Sequence, residues 1–304
     1  MSLQHMELRD LIASTHELAA LPGSVVRLLE LLDDMTAGAD RVLAIIERDP
    51  SLTANLLKLC NSAYYGVQRK IGSVREALIL LGNKTVVTLA FASGMGDVLR
   101  GPLAGYGMAK DDLWRHALAT AVGAGYLATR THAEELRDRA FTAGLVHDIG
   151  KLLLNKLLVN HLEQIPQGAL GASSAPVLAS RDLTVVYTQE ELTRAERRLL
   201  GYDHGEAGGA LAAAWHFPEM LEQAIRHHHH LRVEGEHTEL VRIVGAANFI
   251  AKGLGLDSGP MVALEAGTLD PLTDQGIPED AIFHLLEKLT GTVNEMLGVL
   301  ASPR

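Results

Sequence analysis

With one cysteine, Cys60, in 304 residues, the chain can form neither an internal disulfide framework nor a cysteine-rich zinc site. Aromatics are scarce at 4%, so the apolar 47% is mostly Leu, Ala, Val and Ile, a composition that favours helices over sheets. No apolar run reaches the roughly 18 residues of a membrane span. The N-terminus, Met1-Ser-Leu-Gln-His-Met-Glu-Leu, lacks the basic-then-apolar order of a signal peptide. No long basic run occurs either, and a formal net charge of -10 removes the usual electrostatic drive toward nucleic acid. These absences predict a cytoplasmic chain that binds neither membrane nor nucleic acid.

Histidine, by contrast, is abundant: fourteen, several of them clustered. The most informative segment is Ala143-Gly-Leu-Val-His-Asp-Ile-Gly-Lys151-Leu-Leu-Leu, where His147 and Asp148 sit in a stretch apolar enough to be core. An unpartnered buried carboxylate costs several kcal/mol or more, so the pair must be hydrogen-bonded, ion-paired or bound to a metal. Other histidines join it. His116 follows Asp112 by one helical turn on the same face. His204 opens a helix, and His227 to His230 form an unbroken run at the end of another. Helical neighbours are rotated by about 100°, so at most two of those four can face one site. Neutral imidazoles and carboxylates spread over several helices are how bundle cores hold Fe, Mn or Zn.

Helical signals run throughout, and the predicted fold class is all-α. Helices are expected at 8–20, 24–35, 41–48, from Pro50 toward Leu59, from a capping box at Ser73-Val-Arg-Glu76 to Leu81, and from Asn83 to Leu99. Gly101-Pro102-Leu-Ala-Gly-Tyr-Gly107 reads as a hinge between two halves. Beyond it, helices are expected at 110–130, 133–145, 147–159, 190–200, 204–215, 218–228, 238–254 and 278–300. Irregular connections are expected at 165–180 and 257–278, and Thr184–Thr188 as one short strand without a partner.

The order His, His-Asp, His, His-His resembles the HD superfamily of metal-dependent phosphohydrolases, and within it the HDOD branch, the HD-related output domain of bacterial signalling proteins. Further marks are Leu21-Pro22, Ile46-Glu-Arg-Asp-Pro-Ser-Leu52, Leu59-Cys-Asn-Ser-Ala-Tyr-Tyr-Gly66, Glu196-Arg-Arg-Leu-Leu-Gly-Tyr-Asp-His204 and Trp215-His-Phe-Pro218. The resemblance spans roughly Leu21 to Leu254. It implies an N-terminal helical bundle over 1–100, an HD-like lobe over 108–255 carrying the metal site, and a C-terminal loop and helix over 256–304 packed on that lobe. It matches His116, His147 and Asp148 to the family's first ligands, and His204, His228 and His229 to histidines that bind a second metal in relatives. Asp112 matches an acidic ligand of some relatives, and Lys151 a lysine that faces phosphate. The implied cofactor is one or two divalent transition ions, iron first, with zinc or manganese as alternatives. Asp148 and Lys151 would be catalytic in an active phosphohydrolase.

Asn248 stands where the superfamily has its last aspartate ligand, which removes a negative charge and puts hydrolysis in doubt. The Gly-Tyr-Pro motif of cyclic-di-GMP-degrading relatives does not follow His230. The expected function is therefore a signalling module acting through a protein partner or a small phosphorylated ligand. The alternative is a phosphohydrolase acting on a nucleotide or cyclic-nucleotide phosphoester. A third reading, a DNA-binding helix pair around 52–66 and 73–99, is set aside because those helices are dominated by apolar residues.

Overall fold

Asp49 and Ser73 show how local chemistry sets the helix boundaries of the first lobe. Asp49 Oδ1 accepts the Leu52 N–H at 3.0 Å, and Pro50, which has no N–H to satisfy, takes the first helical position. Ser73 Oγ accepts the Glu76 N–H at 3.1 Å, while Glu76 reaches back one residue further than a capping box requires, to the Gly72 N–H at 2.9 Å. The computed structural model describes residues 8–14, 21–33, 38–163, 189–230, 234–257, 270, 272–274 and 276–301. Among them there is no strand, so the predicted all-α class holds.

The first helices are Leu8–Ser14 (α1), Gly23–Asp33 (α2), Ala39–Ile46 (α3), Pro50–Cys60 (α4) and Val74–Leu99 (α5). Helices α2, α3 and α4 pack around α5. The predicted break at Gly82 is present as a kink inside α5. Gly82 has φ +81°, a conformation that a side chain resists, and the helix resumes at Asn83. Helix α5 is long and apolar enough to cross a membrane, but 61% of its apolar window is buried against the rest of the fold, which marks a core helix. The Gly101–Gly107 segment is docked rather than open. Leu103 and Met108 exchange backbone hydrogen bonds of 3.0 and 3.1 Å, and the Gly105 N–H donates to Asn155 Oδ1 at 2.8 Å.

Next come Asp112–Arg130 (α6), Arg137–Val146 (α7), Gly150–Glu163 (α8), Gln189–Leu200 (α9), His204–Ala214 (α10), Glu219–His227 (α11), Thr238–Gly253 (α12) and Glu279–Ala301 (α13). Helix α6 is the hub: α7, α12 and α13 all pack on it. One apolar core runs from Leu21 through α5 and α6 to Met296, so the lobes share a continuous interior. A smaller cluster of Leu11, Leu153, Leu154, Leu158 and Leu200 ties α1 to α8 and α9.

The structure corrects the helix expected over 147–159. His147 to Ile149 form a turn, and α8 starts only at Gly150. The turn lets the chain change direction, so that His147 and Asp148 project between helices instead of along one face. The expected strand 184–188 and loop 165–180 lie outside the described residues, as does most of 257–278.

Candidate metal centre

Seven of the residues singled out from sequence meet at one place. Asp148, 2% exposed, is at its middle. Its Oδ2 lies 2.6 Å from Lys151 Nζ, 3.4 Å from His147 Nε2 and 3.5 Å from His116 Nε2. Its Oδ1 lies 3.2 Å from His204 Nε2 and 3.6 Å from His228 Nε2. His229 closes the group, its Nε2 2.5 Å from His204 Nε2. The ligand-type atoms form two groups that share Asp148: one with His116 and His147, the other with His204, His228 and His229.

The second nitrogens show what the first ones are for. His147 Nδ1 is 2.7 Å from the Gly144 carbonyl, and His228 Nδ1 is 2.7 Å from the Ile225 carbonyl. A carbonyl can only accept, so each Nδ1 carries the proton, and the neutral ring presents a bare Nε2 lone pair. His204 Nδ1 donates in the same way to the Glu196 carboxylate, at 2.7 and 2.8 Å. Lone pairs thus face a carboxylate and, in the His147–His116 contact of 3.2 Å and the His229–His204 contact, other ring nitrogens. Each such contact needs a proton or a metal cation between the two nitrogens.

The electrostatics agree. Burial pushes Asp148 up, but the Lys151 ammonium and neighbouring imidazoles overcome it and hold the carboxyl well below its usual range. Burial pulls His204 down, yet the carboxylates of Glu196 and Asp148 leave it above the ordinary imidazole value. Between two carboxylates, positive charge is favoured. Burial drives His116 and His229 well below the usual value and His228 to about 3.

These shifts predict a pH dependence for the metal-free chain. A histidine with a lowered folded-state pKa takes up a proton in the unfolded chain first, so stability falls as pH drops below about 6.5, by about 1.4 kcal/mol per pH unit for each such proton. His116, His228, His229 and His227 act in this sense and His204 acts against it. Chemical denaturation in chelator-containing buffer should therefore lose roughly 2 kcal/mol or more between pH 7 and pH 5. A flat or rising midpoint would contradict this.

Asp112 is not brought into the group. Its carboxylate accepts the N–H of Ala109, in the segment just before α6, at 2.6 Å, and the residue is half-exposed. Asn248 is fully buried on α12, and neither Oδ1 nor Nδ2 has a hydrogen-bond partner. One turn later on the same helix, Lys252 has its pKa lowered, first by burial and then by Lys151.

Sequence reasoning missed Glu196, which is fully buried. Besides His204 Nδ1, it accepts the His204 backbone N–H at 3.0 Å and the Tyr106 hydroxyl at 2.8 Å. It lies on a different helix from His204, and only the turn at 201–203 folds it back. A glutamate eight residues before a histidine gives no such sign.

Comparison with known proteins bears on the family and the fold. The HDOD domain profile matches residues 18–231. A Geobacter sulfurreducens HDOD protein of unknown function superposes with a TM-score of 0.69 at 25% identity, over 96% of this chain and 95% of that one. A candidate phosphohydrolase of Shewanella amazonensis does so with a TM-score of 0.67 at 25% identity, over 99% and 100%. An uncharacterised Treponema pallidum protein is 25% identical over 243 residues, 78% of this chain but 43% of the relative. YuxH of Bacillus subtilis matches over 22% of its own length, so the chain spans less than half of either curated relative. With the profile covering well over half of its residues, the chain belongs to the HDOD family.

Proposed function

We propose that the cluster is a transition-metal centre, and that the protein is a signalling module acting through contacts rather than through efficient hydrolysis. The observation that carries the metal reading is that His147 and His228 commit their Nδ1–H groups to the Gly144 and Ile225 carbonyls, which leaves bare Nε2 atoms converging on Asp148 beside His204. The donor set fits: buried imidazoles with one central carboxylate suit borderline ions such as Fe, Mn or Zn. The unpartnered His228 Nε2 would gain a partner. His116, His147 and Asp148 would hold an ion on one side, and Asp148, His204, His228 and His229 on the other. A divalent ion there supplies Lewis acidity toward a phosphoryl oxygen. Glu196 fixes the His204 tautomer, and Lys151 balances the charge of Asp148.

The signalling half rests on family membership and on Asn248, which leaves the ligand set one negative charge short. The test is a panel of phosphomonoesters, phosphodiesters and cyclic nucleotides, offered to protein loaded with Fe, Mn or Zn. The expected result is no release above the metal-only control. Sustained release that Asp148→Ala abolishes would overturn this half and establish the second reading, a phosphohydrolase. One observation favours that alternative: Lys151, 4% exposed, lies beside Asp148 where a phosphate could meet it.

In Glu196→Gln the amide oxygen can still accept from His204 Nδ1 and Tyr106, but the NH2 then faces the His204 backbone N–H, so the variant loses some stability as well as the charge behind the ligand. Metal affinity is expected to fall about 10- to 100-fold. A metal titration showing wild-type affinity would refute the positioning role of Glu196.

A further inference from the structure

The segment between α5 and α6 reaches the cluster through one side chain. Leu103 and Met108 close the segment into a tight loop, and Gly105 seats it on α8, its N–H donating to Asn155 Oδ1 at 2.8 Å. Gly105 is buried. A Cβ there would stand 2.7 Å from the Asn155 carbonyl oxygen and 2.8 Å from Leu158 Cβ, so the loop lies directly on the helix.

The next residue, Tyr106, stands between Lys151 and Glu196. Its hydroxyl donates to Glu196 Oε1 at 2.8 Å, and Lys151 Nζ lies 5.8 Å from its ring centroid, within cation–π range. Burial, and after it the Glu196 carboxylate, push the phenol well above its ordinary value, so the hydroxyl keeps its proton to donate. Glu196 holds His204 from behind through Nδ1, and Lys151 holds Asp148 Oδ2 at 2.6 Å. Asp148 and His204 in turn face each other at 3.2 Å. One side chain of the loop therefore touches the supports of both partners in that contact.

We propose that Tyr106 is a positioning residue of the cluster, and that through it the docking of the Gly101–Gly107 loop and the occupancy of the cluster form one linked equilibrium. The inference rests on the metal reading above. A cation among the Nε2 atoms draws on the charge of Asp148, which weakens its hold on Lys151 and leaves the ammonium to the Tyr106 ring. Positive charge beyond His204 also makes its Nδ1–H a stronger donor, which fixes Glu196 as the acceptor for the Tyr106 hydroxyl. Both changes tighten the loop. By linkage, loosening the loop lowers metal affinity by the same factor. The loop joins α5, around which the first helices pack, to α6, the hub of the later ones, so the state of the cluster is delivered where the two sets of helices meet.

The test is calorimetric titration of Co(II) into the chelator-treated full chain, with amide exchange of residues 103–108 followed by mass spectrometry. Tyr106→Phe keeps the ring beside Lys151 and deletes only the hydroxyl. It is expected to lower Co(II) affinity about threefold to tenfold, less than a change at Glu196 because it acts one residue further out. Saturating Co(II) should slow exchange of 103–108 by at least about threefold in the wild type and leave it unchanged in Tyr106→Phe. Asn155→Ala releases Gly105 but alters neither ligand group, so linkage requires that it too lower Co(II) affinity, by at least about threefold. Ile46→Val, a mildly destabilised control in the buried face of α3, should bind Co(II) as the wild type does. Wild-type affinity in either Tyr106→Phe or Asn155→Ala, or exchange indifferent to Co(II) in the wild type, overturns the coupling and leaves the metal reading standing. A loss in Ile46→Val equal to that in Asn155→Ala overturns it as well, because general loss of stability then accounts for both. No Co(II) binding by the wild type overturns the metal reading itself.

Discussion

Asp148→Ala is expected to strip the purified protein of metal, to less than a tenth of the wild-type content by elemental analysis. Among the described residues, Asp148 is the one shared by both ligand groups. Its Oδ2 looks toward His116 and His147, and its Oδ1 toward His204 and His228. Removing it deletes the only carboxylate common to both ligand groups. What remains is imidazole with two lysine charges close by, and the nearest anion, Glu196, stands behind His204 rather than among the ligand atoms. Lys151 would also lose its 2.6 Å partner, leaving a buried ammonium unpaired, so stability should fall as well, by about 3–5 kcal/mol. His116→Ala separates the two effects: it removes one donor but leaves the Lys151–Asp148 pair intact, so it should cost metal without a comparable loss of stability. Should Asp148→Ala retain wild-type metal content, the cluster is a hydrogen-bonded core and not a metal centre.

The difference between what the sequence discloses and what it hides is physical. Helix identity was legible because capping and periodicity are local: Asp49, Ser73 and Gly82 each act within a few residues of themselves. The histidines of the cluster could be named because an imidazole or carboxylate in an apolar segment needs a reason, and family motifs supply their order. Glu196 was not legible. It reads as one more charge in Gln189–Leu200, a segment rich in acidic and basic side chains, and only folding across the following turn buries it against His204. Asp112 misled for the opposite reason. One-turn spacing from His116 puts both on one face, but the carboxylate turns back onto the backbone N–H of Ala109, just before its own helix. The turn at His147–Ile149 escaped because an apolar run continues through it, and periodicity cannot separate a buried turn from a buried helix.

The second large effect is expected from a residue with no side chain. Gly150→Ala should destabilise the protein by at least about 3 kcal/mol and, in whatever fraction stays folded, weaken metal binding. A Cβ built on Gly150 would stand 1.8 Å from the His204 carbonyl oxygen and 2.6 Å from the Gly208 backbone nitrogen. Those are main-chain atoms of α10, so no rotamer change can relieve the clash, and α8 and α10 must separate. Asp148 lies two residues before Gly150, and His204 is the residue struck. The strain therefore falls on the 3.2 Å contact between Asp148 and His204 that joins the two halves of the cluster. Glycine is needed here for close approach and not for an unusual backbone angle, so an alanine acceptable to any helix fails at this one crossing. Gly291→Ala on α13, where a Cβ meets nothing within 4 Å, is the matched control and should stabilise slightly or change nothing. Equal stability and equal metal content in the two variants would show that α8 and α10 do not cross as closely as described, and with that the route by which Asp148 reaches His204 would be lost.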